Sequence, residues 1–185
     1  MEKKHRREKD EIMPDKALII VDMLNDFIDP GGKLYCGETA EAIIPFIRKQ
    51  LDRTRQQGEL VVYLQDSHDA DDVEFDRFPP HCIAGSWGSQ IISKLAPGTG
   101  ETILPKKRYS GFFGTDLDTV LARFDLKNIT VVGVCTSICV MDTVGGLANR
   151  DYNVTVPVEG VADFDQEMHR MALKRMQGVY GAILT

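Results

Sequence analysis

Long apolar runs are missing from this sequence. None approaches the ~20 consecutive apolar residues that carry a helix across a bilayer, so membrane spanning is not expected. A basic footprint is missing too. The 22 Lys and Arg are outnumbered by 28 Asp and Glu, for a net charge of −6, which argues against a nucleic-acid partner. Cysteines number four. The charged N-terminus, MEKKHRREKDEIMPDK, lacks the apolar core of a secretory signal. A cytoplasmic location is therefore expected, where Cys36, Cys82, Cys135 and Cys139 stay reduced and a disulfide framework has no role. Internal repeats and low-complexity tracts are also absent.

What is present is alternation. Ala17–Val21 and Leu60–Leu64 are short, branched and continuously apolar, as suits strands buried on both faces. Between them, AEAIIPFIRKQLDRTRQQ carries Ile43, Ile44, Ile47 and Leu51 at helical spacing, and Gly58 follows where a C-terminal cap belongs. Further strands are expected at 101–104, 129–134, 154–158 and 181–184, with helices at 116–124, 138–149 and 165–177. The pattern predicts a three-layer α/β/α fold around a mostly parallel, doubly wound sheet. Residues 16–185 read as one domain behind a charged extension over 1–15.

In such sheets ligands bind beyond the carboxyl ends of the strands. Asp22, Asp66 and the stretch after Val134 all fall there. If a helix starts just after Cys135-Thr136-Ser137, Cys139 lies in its first turn, where free N–H groups lower a thiol pKa and bind an oxyanion. Cys135, at the strand end, reads as a buried small residue. Asp22 is the candidate base, with a pKa expected to rise in a partly apolar site. A lysine of the Lys106-Lys-Arg-Tyr-Ser110 segment completes the set, although composition does not choose between Lys106 and Lys107.

Residues 66–87 form a loop long enough to suggest function. Asp66 and His68 lie on one side of an extended segment, His81 follows Pro79-Pro80, and Glu74 sits between. Two imidazoles with carboxylates suit a divalent ion, Zn²⁺, Mn²⁺ or Fe²⁺.

Taken together, these stretches resemble the isochorismatase-like cysteine hydrolases, and within them the nicotinamidases, over residues 16–184. The match rests on ALIIVDMLNDF, on KKRYSGFFGTDL with its K-x-x-Y-S-x-F spacing, on VVGVCTSICV, and on D-x-H…E…F-P-P-H. The resemblance implies Asp22 as acid/base, Lys106 as the lysine and Cys139 as the nucleophile. It also implies a cis peptide at Val134–Cys135 and oxyanion donors from the backbone of Cys135 and Cys139. Phe27 and Phe78 match positions that line a ring pocket. Asp66, His68, Glu74 and His81 match metal ligands, with Asp71, Asp72 and Asp76 competing for the place of Glu74. The implied activity is hydrolysis of a small amide, nicotinamide to nicotinate and ammonia, by a homo-oligomer (dimer or tetramer) carrying a divalent metal, zinc first. The alternatives are an N-carbamoyl or ureido hydrolase and a non-catalytic binding protein of the same fold.

Overall fold

The computed structural model describes residues 14–185. Most of the charged extension thus lies outside the described residues. The strands are β1 (Lys16–Val21), β2 (Leu60–Asp66), β3 (Thr102–Lys106), β4 (Asn128–Gly133), β5 (Asn153–Val156) and β6 (Ile183–Leu184). They form one sheet in the order β3-β2-β1-β4-β5-β6, every pair parallel. The helices are α1 (Asn25–Ile28), α2 (Glu38–Ala42), α3 (Ile44–Gln57), α4 (Leu117–Leu121), α5 (Met141–Ala148) and α6 (Gln166–Gly178).

Alternation along β1 explains the layering. Ala17, Ile19 and Val21 face a core shared with Leu121 of α4, Val144 and Leu147 of α5 and Met176 of α6. Leu18 and Ile20 face the opposite core, with Phe27 of α1, Ala40 of α2 and Ile47 and Leu51 of α3. The expected three-layer α/β/α architecture is therefore present, with an all-parallel sheet. No helix of the described residues is long and apolar enough to cross a membrane.

Three boundaries differ from the sequence expectation, each for a local reason. The single helix expected over 40–57 is two helices meeting at Ile43. Pro45 has no N–H to continue the first helix and is tolerated only in the opening turn of the second. β3 runs on through Pro105 to Lys106. It is an edge strand, where a residue without an N–H can sit. The helix expected from Ile138 is preceded by a π-helical turn, Thr136–Val140, which leads into α5.

The chain winds outward from β1 through β2 to β3, then returns to lay β4 on the other side of β1. The carboxyl ends of β1 and β4 therefore flank the switch point, where open α/β sheets place their ligands. Gly133 makes that junction possible. It pairs with Val21, and a β-carbon there would lie 2.0 Å from the Val21 carbonyl oxygen at φ +120°. Only glycine brings β4 this close to the residue preceding Asp22.

Candidate active site

Each strand end at the switch point delivers one polar group. Asp22 follows β1 in the left-handed region at φ 51°, a conformation aspartate tolerates better than most residues. The Asp66 N–H donates to Asp22 Oδ1 at 3.0 Å, locking the first two strand ends together. From the end of β3, Lys106 Nζ reaches Asp66 Oδ1 at 2.5 Å, Asp22 Oδ2 at 2.8 Å and Cys139 Sγ at 3.4 Å. The Asp22 Oδ2 contact is a close charge pair and not an aligned hydrogen bond. All four side chains are buried, Lys106 to 1% exposure. Lys107, the alternative in the sequence, points outward to Asp69. The peptide between Val134 and Cys135 is cis.

The electrostatics follow from one cation among three potential anions. Burial, and then repulsion from Asp66, push Asp22 up to about 6, with Lys106 opposing. That is the rise expected from the sequence. Burial alone would raise Asp66, yet Lys106 and the two imidazoles hold it well below the usual carboxylate range. Burial works against the charge of Lys106, but Asp22 and Asp66 outweigh it and hold the ammonium protonated. Burial also pushes the Cys139 thiol up, against the pull of Lys106. This corrects the expectation of a thiol acidified by a helix N-terminus. Full desolvation outweighs the partial charge of one turn, so the thiol needs a base beside it. Asp22, which shares the Lys106 ammonium with the thiol, is the candidate.

Next to this group, Asp66, His68 and His81 bring their ligand atoms within 4.8 Å of one another, all three residues buried. Each imidazole has its Nδ1 occupied, His68 by Asp72 Oδ2 at 3.1 Å and His81 by the Pro79 carbonyl at 2.8 Å. Both Nε2 atoms therefore face Asp66 Oδ2, at 3.4 and 3.7 Å, and His68 Nε2 has no hydrogen-bond partner. Two inward lone pairs and a carboxylate fit a divalent cation with tetrahedral or octahedral preferences.

Glu74 stands beside this trio and outside it. It is 3% exposed with Oε2 unpartnered, and burial and Asp66 raise its pKa. Asp71 and Asp76 are exposed. Asp72, a competing ligand in the sequence, instead accepts from His68 and from Arg108 Nη1 at 3.0 and 3.1 Å. Such a partner fixes a ligating imidazole's tautomer and raises its basicity. Replacing Asp72 with Asn should weaken Zn²⁺ affinity by roughly 10- to 100-fold, measured by competition with a chromophoric chelator. Undiminished affinity would detach Asp72 from the cluster.

A cavity joins the two groups, lined by Asp22 and Cys139 on one side and by Asp66, Glu74 and His81 on the other. Its walls include the expected Phe27 and Phe78, together with Leu34, Tyr109, Ile138 and Phe164. Leu34 and Phe164 carried no signal of their own, because single apolar residues in loops look alike in a sequence. Asp26 was missed as well. Its buried carboxylate accepts the Cys82 N–H at 2.7 Å and the Lys33 N–H at 3.0 Å, tying the histidine loop to the loop after β1. Cys135 lies against Cys36, sulfur to sulfur at 3.4 Å, both buried.

A thiol, a carboxylate and an ammonium meeting beside one cavity on a doubly wound parallel sheet place the chain among the hydrolytic enzymes of the α/β class. More narrowly, the chain belongs to the isochorismatase family, whose domain model matches residues 16–185. Among solved structures it is similar to the nicotinamidase PncA from Bacillus subtilis, at 34% identity and a TM-score of 0.88, covering 92% of this chain and 99% of that one. N-carbamoylsarcosine amidase from Thermoplasma acidophilum is similar at 33% identity and TM-score 0.84, over 92% of this chain and 95% of that one. The pyrazinamidase of Pyrococcus horikoshii in complex with zinc matches at 28% identity and TM-score 0.87, over 93% and 99%.

Proposed function

We propose that this hydrolase cleaves the carboxamide of nicotinamide, or a close heteroaromatic amide, to the acid and ammonia. The supporting observation is one cavity, walled by Phe27 and Phe78, that Asp22 and Cys139 of the Lys106 group share with Asp66 and His81 of the Asp66–His68–His81 cluster. Asp22 takes the thiol proton as Cys139 Sγ attacks the amide carbon. The Lys106 ammonium keeps the site's charge balanced as negative charge moves from Asp22 to sulfur. Backbone N–H groups of Cys135 and Cys139 receive the oxyanion. Asp22 then returns the proton to the departing nitrogen, which leaves as ammonia with a thioester on Cys139. A water deprotonated by Asp22 hydrolyses the thioester to acid and free thiol. A divalent ion held by Asp66, His68 and His81 would supply a Lewis-acidic anchor for a ring nitrogen, with Glu74 beside it.

The likeness to N-carbamoylsarcosine amidase supports a second reading, hydrolysis of an N-carbamoyl compound by the same thiol. A panel of small amides separates the two. Ammonia release should be fastest with nicotinamide or pyrazinamide. Removing metal with a chelator should raise KM for the ring amides and leave any carbamoyl turnover alone. Turnover of N-carbamoyl substrates alone, indifferent to chelation, would overturn the first reading.

The pH profile follows from Asp22. Its carboxyl titrates at about 6 and accepts the thiol proton only when ionised. kcat/KM should therefore fall about tenfold per pH unit below that value, because the profile reports the free enzyme's essential base. A cation on Asp66 weakens the repulsion that helps raise Asp22, so chelated protein should show its acid limb at higher pH than metal-loaded protein. Rate measurements between pH 4.5 and 8 read both. A flat profile through 6 in the chelated protein would remove Asp22 as the base.

A further inference from the structure

Asp163 lies between β5 and α6 and takes no part in the proton transfers above. It is 1% exposed, and no lysine or arginine pairs with it among the described residues. A buried carboxylate without a cation is costly unless its oxygens are hydrogen-bonded, and here backbone amides supply both bonds. Ser137 N–H donates to Oδ2 at 2.7 Å, and Asp165 N–H donates to Oδ1 at 3.2 Å. The neighbouring Ala162 carbonyl accepts the Thr136 N–H at 2.9 Å, and Thr136 Oγ1 meets His169 Nδ1 at 2.9 Å. One short stretch therefore grips the first two residues of the turn that carries Cys139.

The amides of that turn can be followed one by one. Thr136 donates to Ala162 and Ser137 to Asp163, while Ile138 and Val140 both donate to the Cys135 carbonyl, at 3.1 and 3.2 Å. The Cys135 N–H has no protein acceptor among the described residues, and that of Cys139 has none outside its own turn. The rotation of the turn about its axis, and hence the direction of these two groups, is fixed largely through Thr136 and Ser137.

We propose that Asp163 is a positioning residue for the oxyanion site, aiming the Cys135 and Cys139 amides by accepting the Ser137 N–H. This rests on the cysteine-amidase reading. Its charge opposes an oxyanion a few residues away, so an electrostatic role and a positioning role have opposite signs. Neutralising it without changing its shape separates them.

The test compares Asp163→Asn with Gln166→Ala. The latter removes a bond to the Asp163 carbonyl, at 3.2 Å, and leaves the carboxylate in place. Three quantities are read: kcat and KM for ammonia release, affinity for pyridine-3-carbaldehyde, and affinity for nicotinate. The aldehyde reports on the oxyanion site directly. Addition of Cys139 Sγ forms a C–S bond as the C=O π pair moves to oxygen, giving a thiohemiacetal once that oxygen takes the proton released by the thiol.

For Asp163→Asn, kcat should fall roughly 10- to 100-fold, the scale of a small misplacement in an active site. Aldehyde affinity should fall by a similar factor, with KM and nicotinate affinity little changed. Gln166→Ala should match the unmutated protein. Unchanged or raised kcat and aldehyde affinity in Asp163→Asn would overturn the proposal, as would equal damage from Gln166→Ala. If the Asn variant does not fold, Asp163→Glu, which keeps the charge but moves it, should show the same kcat loss, and wild-type kcat there overturns the proposal. Should the unmutated protein neither release ammonia nor capture the aldehyde, the amidase reading falls and takes this one with it. If the unmutated protein does both, and Asp163→Asn does so equally well, only the positioning role falls.

Discussion

Cys139→Ala should lower ammonia release by at least about 10⁴-fold, the scale seen when a nucleophile is removed from a preorganised hydrolytic site. No second group is placed to replace it. Cys135, four residues earlier, faces Cys36, and hydrogen bonding to Cys36 together with burial raises its thiol pKa well above the ordinary value. The substitution removes one sulfur from a site whose remaining polar contacts do not depend on it, since Lys106 keeps both carboxylates. Folding and nicotinate binding should therefore survive, and the lost rate can be assigned to chemistry. Two measurements check this: ammonia release in single-turnover and steady-state modes, and mass spectrometry of the quenched reaction. An acyl adduct should appear on Cys139 of the unmutated protein and on no residue of the variant. Turnover within tenfold of the unmutated rate would end the cysteine mechanism.

Lys106→Met should have the next largest effect, and it should reach the fold as well as the rate. Methionine fills similar volume but leaves the Asp22 and Asp66 carboxylates buried together with no cation. Breaking a buried ion pair from one side costs on the order of 3–5 kcal/mol. The sign with pH is distinctive. Without the ammonium, the Asp22 carboxyl sits still further above its unfolded pKa, and Asp66 keeps only the two imidazoles to hold its own pKa down. The native state then binds protons more avidly than the unfolded chain, and stability rises as pH falls. The gap in urea midpoint between variant and unmutated protein should therefore be wide at pH 8 and narrow towards pH 5, measured with chelator present so that no metal ion replaces the lost charge. Activity should drop roughly 10²- to 10³-fold, comparable to losing one stabilising donor from a transition-state site. An equal gap at both pH values would show that the two carboxylates are not the source of the lost stability.

Much of this site could be read in the sequence because its chemistry clusters at strand ends. Asp22 and Asp66 terminate runs of buried branched residues, and those runs are the strongest signal in the chain. Lys106 is different. Nothing local separates it from Lys107, and only the resemblance chose it. The structure supplies the physical reason: β3 extends through Pro105 and carries residue 106 inward in register with Asp66. The state of Cys139 was misjudged because a sequence displays the turn but not the depth at which it is buried. Asp72 stood only as a competitor of Glu74 for a ligand place, and its supporting role was hidden for a related reason. Its distance in sequence from His68 suits a metal ligand and a ligand's support equally well, and only the side-chain direction separates the two roles. Asp26 and Asp163 were invisible, since a carboxylate that serves backbone amides looks like any other loop aspartate until the chain has folded around it.

Asp66 spends its two oxygens on different neighbours, Oδ1 on Lys106 and Oδ2 on the paired imidazoles. Anyone wishing to retarget this scaffold to a substrate without a ring nitrogen is thereby limited in what can be altered. His68, His81 and Glu74 are the more open to redesign, because none of them touches Lys106 or Cys139. Asp66 is not, since deleting its carboxylate would leave Lys106 with one counter-charge fewer and Asp22 without the neighbour that helps raise its pKa. On the proposed reading, recognition and bond cleavage share a single side chain, and a library that randomises Asp66, His68 and His81 together should lose its active members at the first of them.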